Sequence, residues 1–208
     1  MTLAETLAYG LESTGLELPE EGVQKLLAYV ALLIKWNRVY NLTAIRDPKR
    51  MVSHHLLDSL AVLPHLPAGS LADIGSGGGF PGVPIAIAQP SRKVVLNDSN
   101  HKKAAFLTQV KIELTLPNVE VHIGRVEAWR PIPRFDGAIS RAFAELADFI
   151  SACQHVVEPG GFLAAMKGGY PQDELTRLPV NVKCSTPIRL EVPSIRGVRH
   201  LVLCAQAG

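Results

Sequence analysis

The sequence predicts an α/β protein with a mostly parallel sheet and an N-terminal helical extension. Apolar residues recur at helical spacing through the first 65 residues. From residue 71, short apolar runs alternate with helical segments, as in a parallel sheet that helices cover on both faces. The last two apolar runs are joined by a short connection, which indicates an antiparallel pair of strands at the sheet edge.

Two helices are predicted within the extension. One follows Pro19 and its apolar face is Val23, Leu26, Leu27, Val30, Leu33 and Ile34. The other begins where Asp47 precedes Pro48, a pair typical of an N-cap and first helical position, and it ends at Pro64. We expect residues 1–65 to pack as a helical extension on a core formed by residues 66–208.

Five predicted strands alternate with helical segments, and two more end the chain. The five runs are LADI, KVVLN, VEVHI, FDGAIS and GFLAAMK. The final two are KCSTPIRLEV and RHLVLCA, separated by PSIRGV. This order predicts a doubly wound sheet, in which ligands bind at the carboxyl ends of the strands.

Composition indicates a globular protein of the cytoplasm. Of 208 residues, 47% are hydrophobic and 19% are charged, which is enough to bury a full core. No apolar run approaches the roughly 20 residues of a membrane span, and the N-terminus lacks the basic and apolar regions of a signal peptide. Three scattered cysteines, Cys153, Cys184 and Cys204, are expected to be buried free thiols, and we expect no metal site.

Charge is unevenly distributed along the chain, although the net charge is only +2. Residues 35–50 carry Asp47 as their sole acid, together with five basic residues: Lys35, Arg38, Arg46, Lys49 and Arg50. Such a segment is compatible with a polyanionic partner and equally with a solvated surface.

The glycine-rich stretch LADIGSGGGFPG fits two templates. Gly77, Gly79 and Gly82 match the GxGxxG of dinucleotide sites, where helix amides face a pyrophosphate. Asp73, with Gly75, Gly77 and Gly79, matches acid-x-G-x-G-x-G. Because an acid ahead of the loop would oppose phosphate charge, Asp73 favours a ligand with cationic character such as S-adenosylmethionine.

Asp98 ends the second predicted strand, about twenty residues further on. A carboxylate at this place hydrogen-bonds ribose hydroxyls in either template, which indicates a nucleoside ligand. The alternative is that Asp98 or Ser99 caps the following helix.

Several motifs in order resemble the RsmG family, also called GidB. They are WNRVYNLTAI, HHLLDSL, DIGSGGGFPG, NDSNHKKAAFL, IGRVEAW, FDGAISRAFA and AAMKGG. The resemblance implies a class I (Rossmann-like) methyltransferase fold. It also implies an enzyme that uses S-adenosylmethionine to methylate N7 of one guanine in 16S ribosomal RNA of the small ribosomal subunit.

The resemblance also implies site residues. It assigns Gly75, Gly77 and Phe80 to the cofactor pocket, Asp98 to the ribose, and Val126 and Glu127 to the adenine. It places Arg141 near the methyl donor and the RNA. Asn97 departs from the apolar residue that the family pattern suggests, and we expect it to lie away from the pocket.

The remaining candidates concern RNA and chemistry. Arg38, Arg46, Lys49, Arg50 and Lys167 are predicted to contact RNA. His54, His55 and Asp58 are interpreted as a hydrogen-bonded structural group rather than metal ligands. Since guanine N7 has a free lone pair, no catalytic base is predicted, and Arg141 is the nearest candidate for a positioning role. The alternatives are an NAD-binding oxidoreductase and a non-catalytic RNA-binding ribosome-assembly module. We expect a monomer.

Overall fold

Eight strands form a single sheet in the computed structural model, which describes residues 1–179 and 182–205. The strand order is β3-β2-β1-β4-β5-β8-β6, and β7 also pairs with β8. The strands are β1 (Leu71–Ile74), β2 (Val94–Asp98), β3 (Val119–Ile123), β4 (Phe135–Ser140), β5 (Val157–Lys167), β6 (Lys183–Cys184), β7 (Ile188–Leu190) and β8 (Arg199–Ala205). The first five are parallel, which confirms the predicted sheet.

The C-terminal strands are antiparallel, as predicted, but their arrangement differs from the expected edge pair. The run KCSTPIRLEV forms two short strands, β6 and β7, and both pair with the outer side of β8. The last strand therefore lies inside the sheet, between β5 and β6. Its seven residues are long enough to pair along both sides.

Helices cover both faces of the sheet. The extension contains α1 (Leu3–Thr14) and α2 (Glu20–Tyr40). A third helical segment begins as α3 (Pro48–Met51), widens into a π-helix (Val52–Leu57) and ends as α4 (Asp58–Leu60). The body contains α5 (Gly82–Ala88), α6 (His101–Glu113), α7 (Leu146–Cys153) and α8 (Gln172–Thr176). Within the described ranges, none of the helices is long and apolar enough to cross a membrane.

The start of the third helical segment follows the sequence signal. The Asp47 carboxylate accepts a hydrogen bond from the Lys49 amide at 3.0 Å, and Pro48 occupies the first turn. The π-helical turn was not predicted, because its apolar spacing is the same as that of an ordinary helix. Turns of this kind are frequent at functional sites.

One hydrophobic cluster joins the helical extension to the sheet. Leu26 and Leu33 of α2 are fully buried together with Leu71 of β1 and Val83 of α5. Each such leucine stabilises the fold by about 1.5–3 kcal/mol relative to an exposed one. A second cluster fills the opposite face of the sheet, beneath α7. The division of the chain after residue 65 stays a prediction.

Tyr29 connects α2 to the glycine-rich loop. Its side chain is fully buried, and its hydroxyl donates to the Gly78 carbonyl. The ring also packs against Phe80 and Phe106, with centroids 5.6 Å and 6.4 Å away. Burial raises the pKa of Tyr29 well above its ordinary value, so the hydroxyl keeps the proton it donates.

The cysteine prediction was partly wrong. Cys184 and Cys204 form a disulfide, because β6 and β8 place them directly opposite each other. Their separation of 20 residues in the sequence carried no sign of this pairing. Cys153 is buried as a free thiol, and burial raises its pKa to about 12, so the thiol is inert.

Replacing Tyr29 by Phe should lower the free energy of unfolding by about 1–3 kcal/mol, because the buried Gly78 carbonyl loses its donor. Denaturant unfolding measures this change. The exposed Tyr9→Phe is the matched control and should leave stability within about 0.5 kcal/mol. Equal stability of the Tyr29→Phe variant and the parent protein would show that the loop does not depend on this hydrogen bond.

Candidate functional site

A cavity of about 340 Å³ opens at the carboxyl ends of β1, β2 and β3, where a doubly wound sheet binds its ligands. We call it the strand-end cavity. Its lining comes from four strand-to-helix connections and comprises Ile74, Gly75, Asn97, Asp98, Ser99, Lys103, Gly124, Arg125, Val126, Glu127, Ala142 and Phe143. Four predicted cofactor residues therefore meet here: Gly75, Asp98, Val126 and Glu127.

Glycine is required at the start of the loop that closes this cavity. Gly75 and Gly77 have φ angles of 70° and 60°, in the left-handed region that other residues avoid. A side chain on Gly75 would also come within 2.9 Å of the Ala142 methyl group. Gly77 does not line the cavity but donates its amide to the Asp98 carboxylate at 2.9 Å, so it fixes the orientation of that carboxylate.

The N-terminus of α5 has no amide left for a phosphate. The Gly82 amide donates to Asp73 at 2.9 Å, and the Val83 amide donates to the Gly79 carbonyl at 2.8 Å. Pro81 and Pro84, which flank these residues, have no amide hydrogen. A pyrophosphate at the start of α5 would meet no free helix amide, which disfavours the GxGxxG interpretation.

Asp73 lies behind the loop rather than in the cavity. Its side chain is fully buried, and its role in the structure is to accept the Gly82 amide. Asp73 does not line the strand-end cavity, and its contact with the cofactor stays a prediction. Burial raises the pKa of Asp73 to about 7.

Asp98 is an acidic residue in the wall of the strand-end cavity. One of its oxygens accepts the Gly77 amide and the other accepts the Asn100 amide at 2.8 Å. The side chain of Asn100 itself caps α6, by accepting the Lys102 and Lys103 amides. The alternative interpretation of Asp98 or Ser99 as the helix cap was therefore wrong, and Asp98 remains available at the end of β2.

Asn97 lines the cavity, contrary to the expectation that it would lie elsewhere. Its amide nitrogen lies 2.9 Å from the Gly124 carbonyl, to which it donates, and 2.9 Å from Nδ1 of His122. These contacts join the end of β2 to the end of β3. A polar residue fits here because both partners come from the neighbouring strand end.

Phe80 also lies outside the cavity, in the layer beneath Arg141. Its ring stacks on His55, with centroids 4.2 Å apart, and the Arg141 guanidinium lies 5.0 Å above it. Phe80 thus makes a cation–π contact that supports Arg141, and its contact with the cofactor stays a prediction.

A second cavity, of about 290 Å³, lies on the other side of the β4–α7 connection. We call it the histidine cavity, after His54, His55 and His200 in its wall. Arg141 lines the histidine cavity, whereas the next residue, Ala142, lines the strand-end cavity. The strand-end cavity and the histidine cavity therefore adjoin at residues 141–142.

His55 is a neutral group with both ring nitrogens engaged. Nδ1 lies 3.1 Å from the His54 carbonyl, to which it donates, and Nε2 lies 2.8 Å from the Thr43 hydroxyl, from which it accepts. Burial, aided by the Arg141 charge, lowers the pKa of His55 to about 3. His55 is thus a structural residue, as the sequence predicted, and it lacks the properties of a proton acceptor at neutral pH.

A basic groove of about 720 Å³ adjoins the histidine cavity and shares His54 and Arg199 with it. Its charged lining is Lys49, Arg50, Arg196 and Arg199. Lys49 and Arg50 were predicted. Arg196, in the β7–β8 connection, and Arg199, the first residue of β8, were missed, although PSIRGVRH contains both. The sequence does not show that this segment folds back towards residue 50.

The other predicted RNA contacts are placed differently. Arg38 and Arg46 are exposed but do not line the groove. Lys167, which was predicted to contact RNA, is buried, with Nζ 2.6 Å from the Glu174 carboxylate and 2.7 Å from the Ala144 carbonyl. Since its charge is already paired, its structural task is to hold the β4–α7 connection. The described residues contain no group of three or more His, Cys, Asp or Glu that could hold a metal ion.

The sheet order and the strand-end site define the class of Rossmann-like, S-adenosylmethionine-dependent methyltransferases. A methyltransferase from Aquifex aeolicus superposes with a TM-score of 0.61 at 18% identity, over 80% of this chain and 97% of that one. The O-methyltransferase TomG from Streptomyces achromogenes gives 0.59 at 15% identity, with full coverage of both chains. At these identities the likeness establishes the fold.

Sequence comparison establishes the family. Residues 22–202 match the model of the GidB family, rRNA small subunit methyltransferase G, and the chain belongs to this family. It is 52% identical to the ribosomal RNA small subunit methyltransferase G of Chromobacterium violaceum, over 94% of each chain. It is 48% identical to the one of Nitrosospira multiformis, over the whole of both.

Replacing Asp98 by Ala should weaken S-adenosylmethionine binding by about 1–3 kcal/mol, because the ligand loses a charged hydrogen-bond partner and the loop loses the anchor of Gly77. Isothermal calorimetry measures the change. Glu12→Ala, which removes an exposed acid from α1, is the control and should bind normally. Normal affinity in the Asp98→Ala variant would remove Asp98 from the ligand site.

Proposed function

We propose that this chain transfers the methyl group of S-adenosylmethionine to N7 of one guanine in 16S ribosomal RNA of the small ribosomal subunit, acting as a cytoplasmic monomer. The observation that best supports this proposal is the arrangement of three neighbouring cavities: the nucleoside-sized strand-end cavity, the histidine cavity beyond Arg141, and the basic groove. The names of the relatives support an RNA of the small subunit as substrate.

The strand-end cavity has the features that S-adenosylmethionine requires. In this proposal Asp98 binds the ribose, and Val126 and Glu127, which line the same cavity, lie beside the adenine. The absence of free amides at the start of α5 disfavours a phosphate-bearing dinucleotide and does not affect a ligand without phosphate. Bound here, S-adenosylmethionine supplies an electrophilic methyl group on a sulfonium.

The histidine cavity is the proposed place for the acceptor guanine. Its wall combines apolar side chains, Ile45, Met166 and Leu190, with Arg141 and Arg199. Apolar walls with a few polar groups suit a base that has left its stack, which costs a few kcal/mol and is easiest in single-stranded RNA. A role in RNA binding alone would leave the strand-end cavity without a use.

The proposed chemistry needs alignment and no protein base. Guanine N7 carries a lone pair and no proton, so there is no proton to remove before transfer. His55, the imidazole nearest to Arg141, is neutral and fully bonded. The contribution of the chain is therefore to hold the base and exclude water. Holding two reactants in alignment has a large effect on the reaction rate.

Removing the charges of the groove should weaken RNA binding and leave cofactor affinity unchanged. We expect the combined Lys49→Ala, Arg50→Ala and Arg196→Ala variant to bind ribosomal RNA less tightly. Its slope of log affinity against log salt should fall by about 0.9 for each lost phosphate contact. Binding measured from 50 to 200 mM salt tests this.

The matched control for the groove removes three exposed charges at the amino ends of strands, opposite the strand-end cavity: Lys93, Arg134 and Lys183. It should keep the salt slope of the parent protein. If both triple variants change the slope equally, the groove has no special part in RNA binding.

Ribosomal RNA with 7-deazaguanine at the modified position should bind and remain unmethylated. The substitution replaces N7 by CH and keeps the Watson–Crick edge available for recognition. Methyl transfer from labelled S-adenosylmethionine, compared with normal guanine in the same RNA, provides the measurement. Transfer to the deaza substrate would place the target at another atom.

A further inference from the structure

Asp58 is a buried carboxylate shared by two arginines. Its side chain is 3% exposed and lies in the wall of the histidine cavity. Oδ2 accepts a hydrogen bond from Arg141 at 3.2 Å, and Oδ1 accepts one from Arg199 at 3.1 Å. The two arginine side chains are 29% and 25% exposed, so each retains surface for a ligand.

Arg141 is held on several sides. Its NH1 group also donates to the His54 carbonyl at 3.1 Å, and its guanidinium lies over the Phe80 ring. Asp58 and His54 belong to the same helical segment, which includes the π-helical turn. The segment therefore fixes the direction of an arginine that lies on the wall between the two cavities.

Asp58 also separates the tasks of the two arginines. Two guanidinium groups that share one carboxylate repel each other, and each is attracted to RNA phosphates. The carboxylate offsets this repulsion and gives each arginine its own oxygen. Arg199 lines the groove as well as the cavity, whereas Arg141 lines the cavity.

We propose that Asp58 is a positioning residue for methyl transfer, which keeps Arg141 directed at the acceptor base and Arg199 at the RNA backbone. The proposal rests on the function proposed above. The proposal predicts different effects on RNA binding and on methyl transfer, because an arginine released from Asp58 still binds phosphate but no longer orients the base.

The Asp58→Asn variant should show opposite changes in the two measurements. The single-turnover rate at saturating RNA should fall roughly 10-fold to 100-fold, because a small misplacement near the reacting atoms slows the reaction by a factor of this size. RNA affinity should rise about threefold and its salt dependence should steepen, because two cations are no longer neutralised. An unchanged affinity for S-adenosylmethionine and an unchanged melting temperature would show that the fold is intact.

A second substitution should restore the rate. In the double variant Asp58→Asn with Arg199→Gln, the single amide oxygen of Asn no longer has two arginines competing for it and can accept from Arg141. Its rate should recover to within about fivefold of the rate of Arg199→Gln alone. The Arg199→Gln variant alone should bind RNA more weakly, and its rate at saturating RNA is the reference for the double variant.

Three outcomes would overturn the role of Asp58. They are an unchanged rate in Asp58→Asn, a parallel loss of rate, RNA affinity and melting temperature, or no recovery in the double variant. If Asp58→Asn does not fold, Asp58→Glu replaces it. An unchanged single-turnover rate in Asp58→Glu would also overturn the role, because the longer side chain should displace both arginines. A parent protein that binds S-adenosylmethionine and methylates no ribosomal RNA would instead contradict the proposed function.

Discussion

The hydrogen bond from the Gly82 amide to the buried Asp73 carboxylate sets the shape of the site. It fixes the start of α5 against the end of β1, so the loop between them has a defined path. Gly77 then reaches Asp98, and Tyr29 reaches the carbonyl of Gly78. Because Asp73 and Asp98 accept the Gly82 and Gly77 amides, these two donors are not available to a phosphate.

The helical extension contributes to the site as much as the sheet does. Through Tyr29 it supports the glycine loop, and through His55 it stacks on Phe80 of the same loop. Asp58 then holds Arg141 across the end of β4. The glycine loop and the histidine cavity thus share one layer of side chains. A shift in the third helical segment would therefore move residues on both sides of Arg141.

Local pattern and long-range pairing differ in how well the sequence predicts them. The first five strands, the glycine loop and Asp98 were predictable, because apolar runs and turn residues mark them directly. The position of β8 inside the sheet and the disulfide were not, since both depend on which strands become neighbours. The partners of Asp58 lie 83 and 141 residues away, so its spacing to His54 indicated a polar group and could not show its purpose. Lys167 shows the same limit, because its pairing with Glu174 depends on how the chain turns after β5.

The place of β8 inside the sheet also imposes an order on biosynthesis. The second half of β5, from Phe162 to Lys167, pairs with residues 200–205. Arg199, which opens β8, borders both the groove and the histidine cavity. Translation supplies the strand-end cavity well before it supplies this arginine, and pairing between distant segments forms late. A chain still being synthesised up to residue 198 would therefore have the parts of a cofactor site and an unfinished acceptor wall.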